Sequence, residues 1–188
     1  MNIANKLTIL RILLAFVCIG FILVNSFSSL VIALIIFIIA SVTDFLDGYL
    51  ARKYNLISDL GKLLDPIADK ILIIGVFCAF LELGVVNAWM VSSIMLREFI
   101  ITGLRFYGLS KGVVLEARRL GKHKTLSQVI GLGVILLTLI LFKVLPESKM
   151  VILLYHLFIP VLMWYIVGIT LLSGVYYFWV NRRTIRTF

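Results

Sequence analysis

Six stretches dominated by apolar residues, at approximately 7–25, 29–53, 62–82, 87–108, 121–143 and 149–181, take up nearly all of the chain and are parted by short polar breaks. A hydrocarbon core about 30 Å thick is crossed by a helix of roughly 20 apolar residues. Each stretch meets that length. The pattern predicts an all-α, polytopic integral membrane protein: six transmembrane helices with a short N-terminal interfacial segment, forming one domain over residues 1–188. There are no Gly/Ser-rich linkers and no convincing internal repeats, and the prolines Pro66, Pro146 and Pro160 are scattered, which argues against an inverted-repeat transporter.

Composition agrees with the pattern. The chain is 62% hydrophobic and 14% charged, with a mean hydropathy of +1.14, outside the usual mix for soluble domains. A cleaved signal peptide is not expected, because a second apolar stretch follows the first after only Asn25 to Ser29. Cys18 and Cys78 fall inside apolar helices and read as small packing groups rather than a disulfide framework.

The charges add an orientation. Fourteen of the 18 basic residues gather at the N-terminus, after the second and fourth stretches and at the C-terminus, whereas only Lys143 and Lys149 mark the opposite side. Lysine and arginine in short loops stay cytoplasmic, so both termini and these connections are expected in the cytoplasm of a cell-membrane protein. The net charge of +9 then serves topology and attraction to anionic lipid headgroups, and no nucleic-acid partner is expected. Trp89, Trp164 and Trp179, with Tyr176 and Tyr177, read as interfacial anchors, and His123 and His156 as ordinary interfacial histidines.

Five of nine acidic residues lie in one window between long apolar helices: Asp44, Asp47, Asp59, Asp65 and Asp69. Asp44 and Asp47 are three apart and Asp65 and Asp69 four apart, so each pair shares a helix face, and a short connection lets the two pairs meet. Four carboxylates crowded at the edge of hydrocarbon repel one another and lose hydration. Divalent cations relieve both, and oxygen donors of this kind suit two ions of Mg²⁺ or Mn²⁺. Gly48 and Gly61 lack a Cβ and permit close approach of a ligand or a neighbouring helix. Pro66 favours a first helical turn, which predicts that the third helix begins only shortly before Asp65.

Asp44, Asp47, Gly48, Ala51, Arg52, Gly61, Asp65 and Asp69 spell D-x2-D-G-x2-A-R-x8-G-x3-D-x3-D, which resembles the signature of the CDP-alcohol phosphotransferases. The resemblance implies a metal-dependent membrane enzyme, commonly a homodimer, that transfers a phosphoalcohol from a CDP-activated donor and releases CMP. It implies that Asp44, Asp47, Asp65 and Asp69 hold the metal ions and that Asp69 is the catalytic base. Asn5, Thr8, Gly48, Ala51, Arg52, Ser58 and Gly61 form the implied donor-binding set.

Arg97-Glu98-Phe99 with Thr102-Gly103-Leu104-Arg105, and Gly121-Lys122 with Lys124-Thr125 and Gln128, resemble the phosphatidylglycerophosphate synthase branch, as do Asn2-Ile3, Asn5, Leu7-Thr8 and Arg11. The branch's common proline after Asn-Ile is Ala4 here, and Glu116, Arg118 and Arg119 match no fixed pattern. The implied substrates are CDP-diacylglycerol and sn-glycerol 3-phosphate, with membrane lipid around them. A dianionic acceptor needs several cations, and Arg105, Arg118, Lys122 and Lys124 are the candidates. Arg97 and Glu98 fall inside the fourth stretch, as either a structural ion pair or part of the site. Phosphatidylglycerol, serine or inositol phosphate are rival acceptors for the same aspartates. A cation transporter and a noncatalytic lipid-binding scaffold are rivals of other classes, and neither would release CMP.

Overall fold

The chain forms a bundle of long helices: α1 (Ile3–Val24), α2 (Phe27–Lys53), α3 (Asp59–Glu82), α4 (Ala88–Ser110), α5 (Arg119–Val144), the short α6 (Lys149–Leu153), a π turn (Leu154–Phe158) and α7 (Ile159–Arg186). This computed structural model describes the backbone of residues 3–53, 59–112, 115 and 119–186, and the side chains of 6–43, 67–112, 115, 123–182, 184 and 185. The described residues include no strand. Helical bounds fall within a few residues of the apolar stretches, and α1 begins at Ile3.

Local chemistry sets the breaks. Asn25 takes a left-handed φ of 53° between α1 and α2, a conformation that asparagine tolerates better than most residues. Ser26 and Ser29 then cap α2 reciprocally: the Ser26 amide donates to Ser29 Oγ at 2.9 Å and the Ser29 amide to Ser26 Oγ at 3.2 Å. After α3, Gly84 has φ 68°, with the Val85 amide bonded to the Phe80 carbonyl at 2.9 Å and the Gly84 amide to that of Leu81 at 3.0 Å. This is the paired 6→1 and 5→2 arrangement that ends a helix on a left-handed glycine. Asn87 Oδ1 caps α4 by accepting from the Trp89 amide at 3.0 Å.

Two prolines alter the helices that hold them. The third helix begins at Asp59, earlier than Pro66 suggests, so Pro66 sits inside α3 and leaves the Lys62 carbonyl without its usual intrahelical donor. A membrane helix accommodates an internal proline where neighbouring groups satisfy the freed carbonyl. In the last stretch, Pro160 follows a π turn that carries the chain from α6 into α7 without a break. The combined rod spans Lys149–Arg182 with high hydropathy, and at 1.5 Å per residue its 34 residues reach about 50 Å, well past one hydrocarbon core.

Contacts among the described residues close the helices into a ring, α1 beside α2, then α5, α7, α4, α3 and back to α1, with α3 also touching α5 across it. Phe37, Phe77, Phe80, Ile94, Leu132, Leu136, Ile159 and Met163 fill the centre and are fully or almost fully buried. Phe16, Leu172, Val175 and Trp164 face outward, each more than half exposed, so the exterior carries large apolar side chains as well as the core. Three helical segments, Lys6–Val24, His123–Val144 and Lys149–Arg182, are long and apolar enough to cross a membrane, and Phe27–Thr43 is a shorter apolar one. The chain is a multi-pass membrane protein. Buried Cys18 packs against α2, its thiol donating to the Ala33 carbonyl at 3.4 Å, whereas Cys78 lies exposed on the outer face.

Close helix approach relies on glycine at two places. A Cβ on Gly75 would meet Ile19 Cδ1 of α1 at 2.5 Å, and one on Gly131 would collide with Ile166 Cδ1 of α7. Gly131→Val is expected to lower stability by about 1–3 kcal/mol through overpacking, read as a lower Tm in detergent, whereas the same change at Gly133, which has open space, should leave Tm near its starting value.

Candidate active site

The acidic motif is divided between two consecutive helices. Asp44, Asp47, Gly48, Ala51 and Arg52 lie in the last three turns of α2, and Gly61, Asp65 and Asp69 in the first three of α3. Only residues 54–58 join them, so the motif-bearing ends of α2 and α3 are close, and the two helices touch. Both aspartate pairs keep their helical spacing, so each still occupies one face. The side chains of Asp44, Asp47, Gly48, Ala51, Arg52, Gly61 and Asp65 lie outside the described residues, as do Ser58 as a whole and the side chain of Asn5. The donor set itself, carboxylate oxygens from two neighbouring helices, fits hard divalent cations such as Mg²⁺ or Mn²⁺.

α1 backs both halves of the motif, since it packs on α2 and on α3. Its fully buried Arg11 and nearly buried Thr8 stand one turn apart, and both have polar or electrostatic partners. A buried arginine at this level places a permanent positive charge in the helix that contacts both carboxylate-bearing helices.

Asp69 is half-buried and leads into a second polar cluster on α3, α4, α5 and α7. Lys70 and Lys124 are within its electrostatic reach. Lys124 Nζ donates to Glu98 Oε1, and Arg97 Nη1 reaches the same oxygen at 3.4 Å. Arg97 Nη2 donates to Ser173 Oγ at 2.9 Å, Ser173 Oγ donates to the Thr170 carbonyl at 2.8 Å, and Gln128 Nε2 donates to Thr170 Oγ1 at 3.2 Å. Glu98, Lys124, Gln128, Thr170 and Ser173 are all buried, which is costly for such groups unless they are paired as they are here.

Of the four cations expected to hold an acceptor phosphate, Lys124 is buried against Glu98 and within electrostatic reach of Asp69, and Arg105 lies exposed on α4 within electrostatic reach of Lys70 and Arg97. Arg118 lies outside the described residues, and Lys122 lies in the first turn of α5 with its side chain likewise outside them. The α7 contribution was missed in the sequence, although its signal is present. Thr170, Ser173, Tyr177 and Asn181 recur at spacings of three and four in an otherwise apolar helix, and all four are buried. Tyr177 is therefore not an interfacial anchor: it packs inward with Ile101 and Leu115, while Trp179 stays exposed with Arg182 over its ring at 4.9 Å.

A family model described as CDP-alcohol phosphatidyltransferase matches residues 1–176, a span that holds the whole aspartate motif and most of the α4–α5–α7 cluster. The chain belongs to this family. Relatives named CDP-diacylglycerol–glycerol-3-phosphate 3-phosphatidyltransferase resemble this CDP-alcohol phosphatidyltransferase over most of its length. The Bacillus subtilis protein is 39% identical over 153 residues, 81% of this chain and 75% of its own. The Rickettsia bellii protein is 35% identical over 177 residues, 94% of this chain and 93% of its own. The Rickettsia felis protein is 40% identical over 136 residues, 72% of this chain and 75% of its own.

Proposed function

We propose that this CDP-alcohol phosphatidyltransferase moves the phosphatidyl group of CDP-diacylglycerol onto sn-glycerol 3-phosphate, giving phosphatidylglycerol phosphate and CMP in anionic phospholipid synthesis. The observation that carries the reading is likeness to relatives of that name, extending in one case across 94% of the chain. Asp44, Asp47, Asp65 and Asp69 would hold two divalent ions, which when bound offset phosphate charge and the charge that develops on departing CMP. Gly48, Ala51, Arg52, Ser58 and Gly61, with Asn5 and Thr8 of α1, hold the donor's CDP end, and its tails remain in the bilayer.

The chain's own chemistry is a single displacement. The acceptor hydroxyl oxygen bonds to the donor phosphorus next to the lipid, the bond from that phosphorus to CMP breaks, and the hydroxyl proton passes to the Asp69 carboxylate. Arg105, Arg118, Lys122 and Lys124 balance the acceptor's own phosphate. Six helices cross the membrane, with both termini and the site at the cytoplasmic face, an orientation supported by the distribution of Lys and Arg. Pairing of two chains into a homodimer rests on the sequence resemblance alone.

Product analysis with CDP-diacylglycerol and a panel of alcohols tests the reading. The expected result is phosphatidylglycerol phosphate and stoichiometric CMP with sn-glycerol 3-phosphate. Turnover only with phosphatidylglycerol, serine or inositol phosphate would replace the acceptor, and no CMP with any alcohol would reject the reaction.

A further inference from the structure

The buried cluster behind Asp69 holds more charge than a structural ion pair needs. Glu98 accepts from two cations, Lys124 on α5 and its own neighbour Arg97, so the trio carries one surplus positive charge inside the bundle. An ammonium has three donors, and Glu98 engages Lys124 while leaving capacity for another anion. Asp69 is within electrostatic reach of Lys124.

Arg97 is fixed in turn by α7. Ser173 Oγ takes its Nη2, and its stem lies over Gly174, where a Cβ would come within 3.1 Å of Arg97 Cγ. Its Nε, though buried, has no hydrogen-bond partner among the described residues. An arginine kept in this position with one donor unused costs stability, which a carboxylate needing only one partner would not require.

We propose that Arg97 and Glu98, held by Ser173 and Gly174, are positioning residues that fix the Lys124 ammonium as a ligand for the acceptor's phosphate. The idea rests on the reaction proposed above and deepens it, because it assigns the acceptor's charged end to the α4–α5–α7 seam. Arg97 sets the carboxylate of Glu98 by a second bond, and Glu98 then holds Lys124 in one of the many rotamers open to a four-carbon stem. The acceptor phosphate meets a cation already dehydrated and aimed, with its hydroxyl directed to the carboxylate of Asp69.

Steady-state kinetics of the full-length enzyme in lipid vesicles test this, with each substrate varied at saturating levels of the other. Glu98→Gln and Lys124→Met should each raise KM for sn-glycerol 3-phosphate about tenfold and leave KM for CDP-diacylglycerol within about twofold. The double variant, which removes both charges of the Glu98–Lys124 contact, should be no worse for the acceptor than the poorer single one, because one residue acts through the other. Glu98→Asp should recover part of the lost affinity. Ser173→Ala removes only a hydroxyl from α7 and should raise acceptor KM about two- to threefold, so it carries the test if a charge variant fails to fold. Unchanged acceptor KM with lower kcat or Tm would overturn the proposal, as would effects of Glu98→Gln and Lys124→Met that multiply. Wild-type enzyme that makes no phosphatidylglycerol phosphate would instead sink the reaction itself, and that outcome is read before any variant is compared.

Discussion

Asp69→Asn is expected to reduce kcat by about 10²–10⁴-fold while CDP-diacylglycerol still binds. The substitution keeps the side chain's size and removes its capacity to take a proton, at a half-buried position on α3. It also removes one of four proposed cation ligands, which pushes the loss toward the upper end of that range. CMP release measured beside binding of labelled donor separates the two effects. Retained turnover would take Asp69 out of the role of base, and lost donor binding would make it chiefly a ligand.

Removal of divalent metal should be as severe. Treatment with a chelator is expected to lower CMP release by at least about 10³-fold, and added Mg²⁺ or Mn²⁺ should restore it. Carboxylates concentrated in α2 and α3 have no comparable way to neutralise the phosphates of donor and acceptor together. Arg11, the buried cation of α1, belongs to the fold and stays in place under chelation, so the helices should keep their circular dichroism while activity falls. Full activity in the chelator would break the link between the aspartates and the chemistry.

The sequence disclosed the helices because a bilayer imposes length and apolarity on each one separately. It disclosed the aspartate motif for a related reason: spacings of three and four fix a common face, and five joining residues bring the α2 and α3 ends together whatever the rest of the bundle does. Pro66 misled, because its preference for a first turn is a local tendency that a helix beginning at Asp59 overrides. Glu98 and Lys124 are 26 positions apart, and nothing in periodicity says which helix α4 will face. The same holds for Ser173, 76 positions from Arg97, and for Tyr177, whose neighbours Phe178 and Trp179 are exposed while its own side chain turns inward. Polar spacing along α7 marked a buried face, but its partners emerge only when the ring of helices closes.

The central claim is that carboxylates from α2 and α3 hold divalent cations together. Electron paramagnetic resonance of the purified protein titrated with Mn²⁺ tests it most directly, by counting bound ions per chain in the wild type and in Asp44→Asn and Asp65→Asn, one variant from each helix. The account predicts two bound ions in the wild type and weaker or partial occupancy in both variants. Wild-type protein that binds no Mn²⁺, or variants from both helices that bind it as the wild type does, would contradict it.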